Sequence, residues 1–182
     1  MHFVHDDHVL YDNNIEKIQE YLNAGATPPL FEKAGPRDKI YFDFAQLKCG
    51  IVTCGGLCPG LNDVIRAIVL SLFHHYNVQD VFGFPYGYEG LSARHKHTPV
   101  ALTLESVQRI HEQGGTILGS SRGAQDVSEM VDTLERMKIG ILFTIGGDGT
   151  LRGGQAIAEE ALDRGLDIAV IGVPKTIDND IS

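Results

Sequence analysis

From about residue 48 onward, short β-rich runs alternate with helical patterns, and glycine clusters separate them. CGIVTC is followed by GGLCPG and then by LNDVIRAIVLSLFHHY, whose apolar residues recur at helical spacing. GILFTI (140–145) is followed by GGDGT and the helical pattern LRGGQAIAEEALDRG, and DIAVIGV (167–173) is the last predicted strand. This alternation is typical of parallel strands joined by helices. We therefore predict an α/β fold with a parallel, doubly wound, Rossmann-like sheet flanked by helices.

The remaining segments complete this pattern. VFGF (81–84) is a candidate strand, and helices are predicted near residues 105–113 and over DVSEMVDTLERMK (126–138). Residues 1–45 fit the alternation poorly, with a short helix predicted in NNIEKIQEYLNAG and an extended, proline-containing connection in ATPPLFEKAGPRDK. We expect residues 1–45 to be an N-terminal extension packed on an α/β domain at 46–182.

Composition excludes several classes of function. The formal net charge of −9 disfavours a nucleic-acid partner, because phosphate backbones require a basic surface. No apolar run approaches the roughly 20 residues that span a bilayer, and the first residues resemble no secretory signal. Three cysteines, an odd number, argue against a disulfide framework. We expect a cytoplasmic protein without a membrane partner.

The loops after the predicted strands are the candidate functional segments, because ligands of open α/β sheets bind beyond the carboxyl ends of the strands. Gly55 and Gly56, with Gly60 further on, allow close approach of backbone amides to a phosphate. A tight turn without a ligand explains these glycines equally well. The loop matches neither the dinucleotide fingerprint GxGxxG nor a Walker A loop.

Acidic residues follow the other two strands. Asp148, between glycines at the end of an apolar run, is a candidate Mg²⁺ ligand, in preference to a turn residue. Asp178 and Asp180 would point to one side of an extended backbone, where one is a candidate general base and the other a metal or arginine partner. The alternative for this pair is an Asx-type turn that caps a helix. Lys175 and Arg122 either neutralise a transferring phosphate or are solvated surface charges.

His95 and His97 form a rival candidate site. An HxH pattern in a polar loop without further ligands is weak evidence for a metal. The sequence therefore favours a solvated loop.

Five runs in this order resemble the phosphofructokinase family: CGGLCPGLNDVIR, YGYEGL, GGTILGSSRG, IGGDGT and VPKTIDND. The resemblance extends from Gly35 to Ser182. It implies a phosphofructokinase-like nucleotide-binding half, and in-line transfer of a phosphoryl group from MgATP to the 1-hydroxyl of fructose 6-phosphate, giving fructose 1,6-bisphosphate in glycolysis.

The resemblance also implies roles for residues around the donor. Gly56 is similar to the glycine that abuts the transferred phosphoryl group, and Arg122 to the arginine that contacts the donor phosphates. Tyr88 resembles a residue beside the nucleotide, and Asp148 resembles the magnesium aspartate. The nucleotide site would further be lined by Gly149, Thr150 and Gly153.

The resemblance implies that the last motif, VPKTIDND, contacts the sugar that accepts the phosphoryl group. Asp178 resembles the base that accepts the proton of the sugar 1-hydroxyl, Thr176 would contact the transferring phosphate, and Asp180 would support the site. Lys175 completes the expected catalytic set.

Two positions favour different phosphoryl donors. In the family, an aspartate at the position of Gly149 accompanies pyrophosphate use, and a glycine there leaves room for ATP, so Gly149 favours ATP. Lys175, in contrast, resembles the residue of the pyrophosphate-using branch. The combination is similar to ATP-dependent enzymes of plants and kinetoplastids, so we predict ATP, with pyrophosphate as the alternative. This chain has Pro85 at a position where close relatives often have arginine. Any contact that the arginine makes in those relatives is therefore not expected here.

The family's sugar-phosphate pocket is built mainly from residues that would follow TIDND. We therefore expect this chain to be the nucleotide-binding portion of a longer homo-oligomeric enzyme and to be inactive alone. A noncatalytic nucleotide-binding paralogue is the other alternative. A kinase acting on NAD or diacylglycerol would share the GGDG motif, but YGYEGL and TIDND disfavour it.

Overall fold

The computed structural model describes residues 7–35 and 37–177, and the chain divides into two compact units between Tyr41 and Phe42. The elements of the first unit are β1 (His8–Leu10), α1 (Ile15–Asn23) and β2 (Leu30–Glu32). The predicted short helix is present as α1. The predicted extended connection contains β2, which pairs antiparallel with β1. Three-residue strands have too short a pattern to be recognised from sequence.

The second unit contains the other strands and helices. In chain order they are β3 (Lys48–Thr53), α2 (Leu61–Tyr76), β4 (Asp80–Phe84), β5 (Val100–Ala101), α3 (Leu104–Val107), α4 (Val127–Met137), β6 (Ile139–Gly146), α5 (Asp148–Asp163) and β7 (Ala169–Pro174). Short 3-10 turns occupy Gly87–Leu91, Ala93–His95 and Ile110–Glu112.

A five-stranded sheet in the order β5-β4-β3-β6-β7 organises this unit. β3, β4, β6 and β7 are parallel, which confirms the predicted α/β fold. The exception is β5, which is antiparallel to β4 at the edge. The chain between β4 and β5 contains only 3-10 turns, and without a crossover helix a parallel arrangement is not available to β5.

Helices cover both faces of the sheet. On one face α2 buries Leu61, Ile65 and Val69 in a cluster with Ile51 and Ile145. On the other face α4 and α5 pack against the strands, with buried residues that include Met130, Leu134, Leu142, Ile157 and Ala161. β3 lies between these layers and is buried from Cys49 to Thr53.

Two predicted helices differ from the structure. α5 begins at Asp148, three residues before the predicted start, because Gly147 takes the N-cap position and Asp148 is already helical. The helix predicted near residues 105–113 is a single turn, α3, followed by a 3-10 turn. Arg109, at φ −122°, leaves the helical region between them, and Ile110 is then buried in the core. None of the described helices combines the length and the apolar character needed to cross a membrane.

Candidate functional site

The carboxyl ends of β3, β6 and β7 lie side by side, as the sequence predicted. From β3 the chain continues to one side of the sheet through β4, and from β6 to the other side through β7, so the crevice between β3 and β6 is the topological switch point. The loops remain adjacent beyond the strands: the backbone N–H of Cys54 donates to the carbonyl of Ile145 (3.0 Å), and that of Lys175 to Gly146 (2.9 Å).

A cleft of about 890 Å³ opens at this edge. Its volume is in the range of small-molecule sites. Nine predicted site residues line it: Gly56, Tyr88, Arg122, Asp148, Gly149, Thr150, Gly153, Lys175 and Thr176. Asp178 and Asp180 lie outside the described residues.

The loop after β3 is fixed by the segment that carries Arg122. The N–H of Gly55 donates to the carbonyl of Ser121 (3.1 Å), and the Ser120 hydroxyl donates to the carbonyl of Gly55 (2.7 Å). A Cβ at Gly56 would lie 3.2 Å from a guanidinium nitrogen of Arg122, so a larger residue would have to displace that side chain. Arg122 is exposed, and its charge faces the cleft without an ion pair among the described residues.

α5 begins at the cleft and directs its N-terminus into it. Its first two residues, Asp148 and Gly149, both line the cleft, and Asp148 is half-buried. Part of the reason for an acidic residue here is the helix macrodipole, which favours negative charge in the first turn. The same macrodipole and unpaired N–H groups favour a bound phosphate.

Gly149 is exposed, and a Cβ built there would have no atom within 4 Å apart from its chain neighbours and the backbone of its own helix. A side chain at this position would therefore project into open space at the cleft rather than into the protein. The absence of a side chain enlarges the space available to a ligand.

Tyr88 connects the 3-10 turn Gly87–Leu91 to α5. Its hydroxyl donates to the carbonyl of Thr150 at 2.5 Å, and its ring lies against Gly153, where a Cβ would approach the ring to 2.5 Å. Tyr88 is only 8% exposed, and burial raises the pKa of its phenol above the ordinary value. The side chain therefore shapes the cleft wall and stays protonated.

Lys175 and Thr176 extend the site beyond β7, and both are half-buried. The Lys175 side chain reaches the start of α2, with its Cε 3.4 Å from the position of a Cβ at Gly60. Lys175 and Arg122 thus supply positive charge to the cleft that Asp148 also lines.

Several cleft residues belong to no motif recognised in the sequence. Arg152 adds a third cation, and Val127, Met130 and Ala156 add an apolar surface. The sequence could have indicated Arg152 and Ala156, because they lie four and eight residues after Asp148 and therefore share its face of α5. Val127 and Met130 are typical buried residues of an amphipathic helix, and nothing in the sequence distinguishes them as ligand contacts.

The cysteines near the cleft are thiols. Cys54 and Cys58 line it, Cys49 lies in β3, and all three are free and buried. Burial raises the pKa of both Cys49 and Cys54 to about 12, so these two thiols are neutral at physiological pH.

Comparison with known proteins shows the family that this chain resembles. The family model described as phosphofructokinase matches residues 48–182. An ATP-dependent 6-phosphofructokinase of Trypanosoma cruzi is 54% identical over 177 residues, covering 97% of this chain and 36% of the relative. That of Amycolatopsis methanolica is 52% identical over 181 residues, covering 99% and 39%. The chain thus spans about 36–39% of the length of these relatives.

Solved structures support the same fold. A pyrophosphate-dependent phosphofructokinase from Marinobacter aquaeolei superposes with a TM-score of 0.66 at 21% identity, covering 73% of this chain and 34% of that one. A Pichia pastoris phosphofructokinase in the T-state gives 0.64 at 24% identity, covering 81% and 16%.

Proposed function

The chain belongs to the phosphofructokinase family, and from this we propose that it forms the nucleotide-binding part of an ATP-dependent 6-phosphofructokinase. Because the chain spans only part of its relatives, the proposed reaction belongs to the whole enzyme. That reaction is phosphoryl transfer from MgATP to fructose 6-phosphate. The observation that carries the proposal is the cleft at the switch point, which Asp148, Arg122 and Lys175 line together with the N-terminus of α5.

Asp148 fits a magnesium ion that is shared with substrate phosphates. Mg²⁺ is usually bound by one or two carboxylates together with phosphate oxygens and water. Asp148, a half-buried residue, offers one carboxylate at the cleft. The ion would neutralise charge on the donor phosphates when bound.

The protein's own groups would hold the donor in place. The backbone amides of Gly56 in the loop after β3 and of Asp148 and Gly149 at the start of α5 are the candidate neutral N–H donors. Arg122, Arg152 and Lys175 provide positive charge around the cleft. Positioning and charge neutralisation account for most of the acceleration in phosphoryl transfer. We assign to Asp178, by the family resemblance, the role of base for the sugar hydroxyl, with Thr176 and Asp180 beside it.

ATP is the preferred donor because the cleft has features that pyrophosphate does not use. The half-buried apolar side chains of Val127 and Ala156 offer a surface for a nucleobase, and Gly149 leaves the mouth of the cleft open. Lys175 is the observation that favours pyrophosphate as the second candidate. The relatives named above from Trypanosoma cruzi and Amycolatopsis methanolica are ATP-dependent.

Binding to this chain and turnover by a longer protein containing it test the proposal separately. Calorimetric titration of the 182-residue chain with MgATP and with magnesium pyrophosphate should show tighter binding of MgATP. A longer protein that contains this segment should phosphorylate fructose 6-phosphate with ATP faster than with pyrophosphate. Failure of a folded chain to bind MgATP would contradict the proposal, and turnover with pyrophosphate alone would select the second candidate.

The proposal also includes the cellular location, assembly and partners of the enzyme. We expect a cytoplasmic homo-oligomer with no nucleic-acid partner. The charge of −9 and the family membership support this expectation.

A further inference from the structure

A second cluster of metal-binding side chains lies outside the cleft. Glu89, His95 and His97 each offer one donor atom, and these atoms lie within 4.8 Å of one another. None of the three residues lines the cleft that contains Asp148. We propose that Glu89, His95 and His97 bind one transition-metal ion of the zinc type, at a site separate from the proposed magnesium site.

The backbone brings the two imidazoles together. The 3-10 turn Ala93–His95 ends at Lys96, which adopts the left-handed conformation at φ 54°. The rings of His95 and His97 are then parallel, with an interplanar angle of 4° and centroids 6.0 Å apart. The sequence motif alone gave two ligands, and the fold adds the third from the preceding turn.

The side chains around the cluster hold it in place. The Nε2 atom of His95 lies 3.1 Å from Oε1 of Gln125, and the ring of His97 packs on Tyr86 at 4.7 Å. A histidine ligand commonly uses its second ring nitrogen in such a hydrogen bond, which fixes the ring for the metal. When Nε2 of His95 donates to Gln125, Nδ1 is the nitrogen left for the metal.

Neighbouring side chains neutralise the nearest positive charge and anchor the segment that carries the histidines. The positive charge of Arg94 is balanced by Glu129 (2.8 Å) and Asp126 (3.7 Å). Ser92 also donates to Glu129, which ties this segment to α4. Lys96 remains as an unfavourable positive charge in the loop.

The donor set selects the class of metal. Two imidazoles and one carboxylate, with a fourth position for water, are typical of zinc, whereas magnesium prefers oxygen ligands alone. Donor atoms around a tetrahedral zinc are about 3.3 Å apart, given bonds of about 2.0 Å. The cluster must therefore contract on binding, which is feasible because His95 is exposed and Glu89 and His97 are only half-buried.

Bound metal would join the turn Gly87–Leu91 to the segment that follows it. The same turn holds Tyr88 against Thr150, and Gln125 lines the cleft. Zinc binding should therefore stabilise the second unit.

Calorimetric titration of the 182-residue chain with zinc chloride, in buffer containing excess Mg²⁺, tests the site. The wild-type chain should bind one ion with a rise in melting temperature, and H95A/H97A should lose both. The matched control is H74A/H75A, which removes an exposed histidine pair at the end of α2 and should leave this binding intact. Q125A should weaken zinc binding roughly tenfold.

Circular dichroism of each variant verifies the fold. Zinc binding by H95A/H97A that equals wild type would overturn the proposal, as would loss of binding in H74A/H75A. Displacement of zinc by excess Mg²⁺ in the wild type would also overturn it, because a nitrogen-rich site should not favour magnesium.

Discussion

The hydroxyl of Tyr88 donates a hydrogen bond to the backbone carbonyl of Thr150 across 2.5 Å. This contact joins the turn after β4 to the first turn of α5, which faces the cleft. It links residues 62 positions apart in the sequence and fixes the helix end on which Asp148 and Gly149 lie.

Y88F should reduce the free energy of unfolding by about 1–2 kcal/mol, because it leaves a buried carbonyl without its side-chain donor. Urea denaturation measures this change. Y76F is the matched control, since Tyr76 is exposed at the end of α2, and it should change stability by less than about 0.5 kcal/mol. Equal stabilities of Y88F and wild type would show that the contact contributes nothing.

G153A should be destabilising although alanine is the better helix former. Its Cβ would approach the Tyr88 ring to 2.5 Å, and such overpacking costs about 1–3 kcal/mol, against about 1 kcal/mol of helix propensity. G149A, in the same helix with no atom near its Cβ, should be neutral or stabilising. Thermal denaturation of the pair distinguishes crowding from propensity, and a G153A variant as stable as G149A would refute the clash.

D148N should remove the dependence of ATP binding on Mg²⁺. We expect at least tenfold weaker binding of MgATP (about 1.4 kcal/mol) and unchanged or tighter binding of ATP in the presence of EDTA, because a negative charge is lost near the phosphates. D163N, at the exposed end of the same helix, is the control and should bind as wild type. If D148N retains the full magnesium effect in calorimetry, another group holds the metal.

G149D should weaken ATP binding by roughly tenfold, because a carboxylate would enter the open space of the cleft close to the donor phosphates. G149N introduces similar volume without charge and should weaken binding less. Binding of magnesium pyrophosphate should fall less than binding of MgATP in both variants if space for the nucleoside matters. If the two ligands lose binding affinity equally, the introduced charge, and not lost space for the nucleoside, explains the effect.

The thiols of Cys49 and Cys54 should resist alkylation in the folded chain at pH 8 and react after unfolding in urea. Both have a pKa raised to about 12 by burial, so the reactive thiolate is scarce. The same shift predicts that stability falls as the pH rises above about 9, where the unfolded chain releases these protons and the folded chain does not. Mass spectrometry of the alkylated peptides identifies the sites. Rapid labelling of Cys54 in the folded chain would contradict the prediction that its thiol is buried and protonated.

The sequence predicted the fold where local and tertiary signals agree. α2 has the predicted limits because its apolar spacing is uninterrupted between Gly60 and Asn77, both of which are left-handed. The start of α5 was missed because Gly147 and Gly149 indicate a loop locally, while packing against β6 and β7 stabilises the helix. β5 has only two residues and carries no readable period.

For the candidate sites, sequence identified residues within motifs and missed residues supplied by other elements. Asp148 and Lys175 follow predicted strands, so their meeting at one edge could be foreseen. Glu89 could not be assigned to the histidine pair, because only the folded turn brings it near. Met130 was likewise indistinguishable from ordinary core residues until α4 was seen to border the cleft.

The two margins of the five-stranded sheet are unequal. At one edge, the strand β5 has only two residues, so little backbone is available for pairing with a further strand. At the other margin β7 has six residues, with Ile171 and Gly172 exposed, and no described strand occupies its outer side. Any additional polypeptide that extends this sheet by hydrogen bonding would therefore join beside β7, next to the mouth of the cleft.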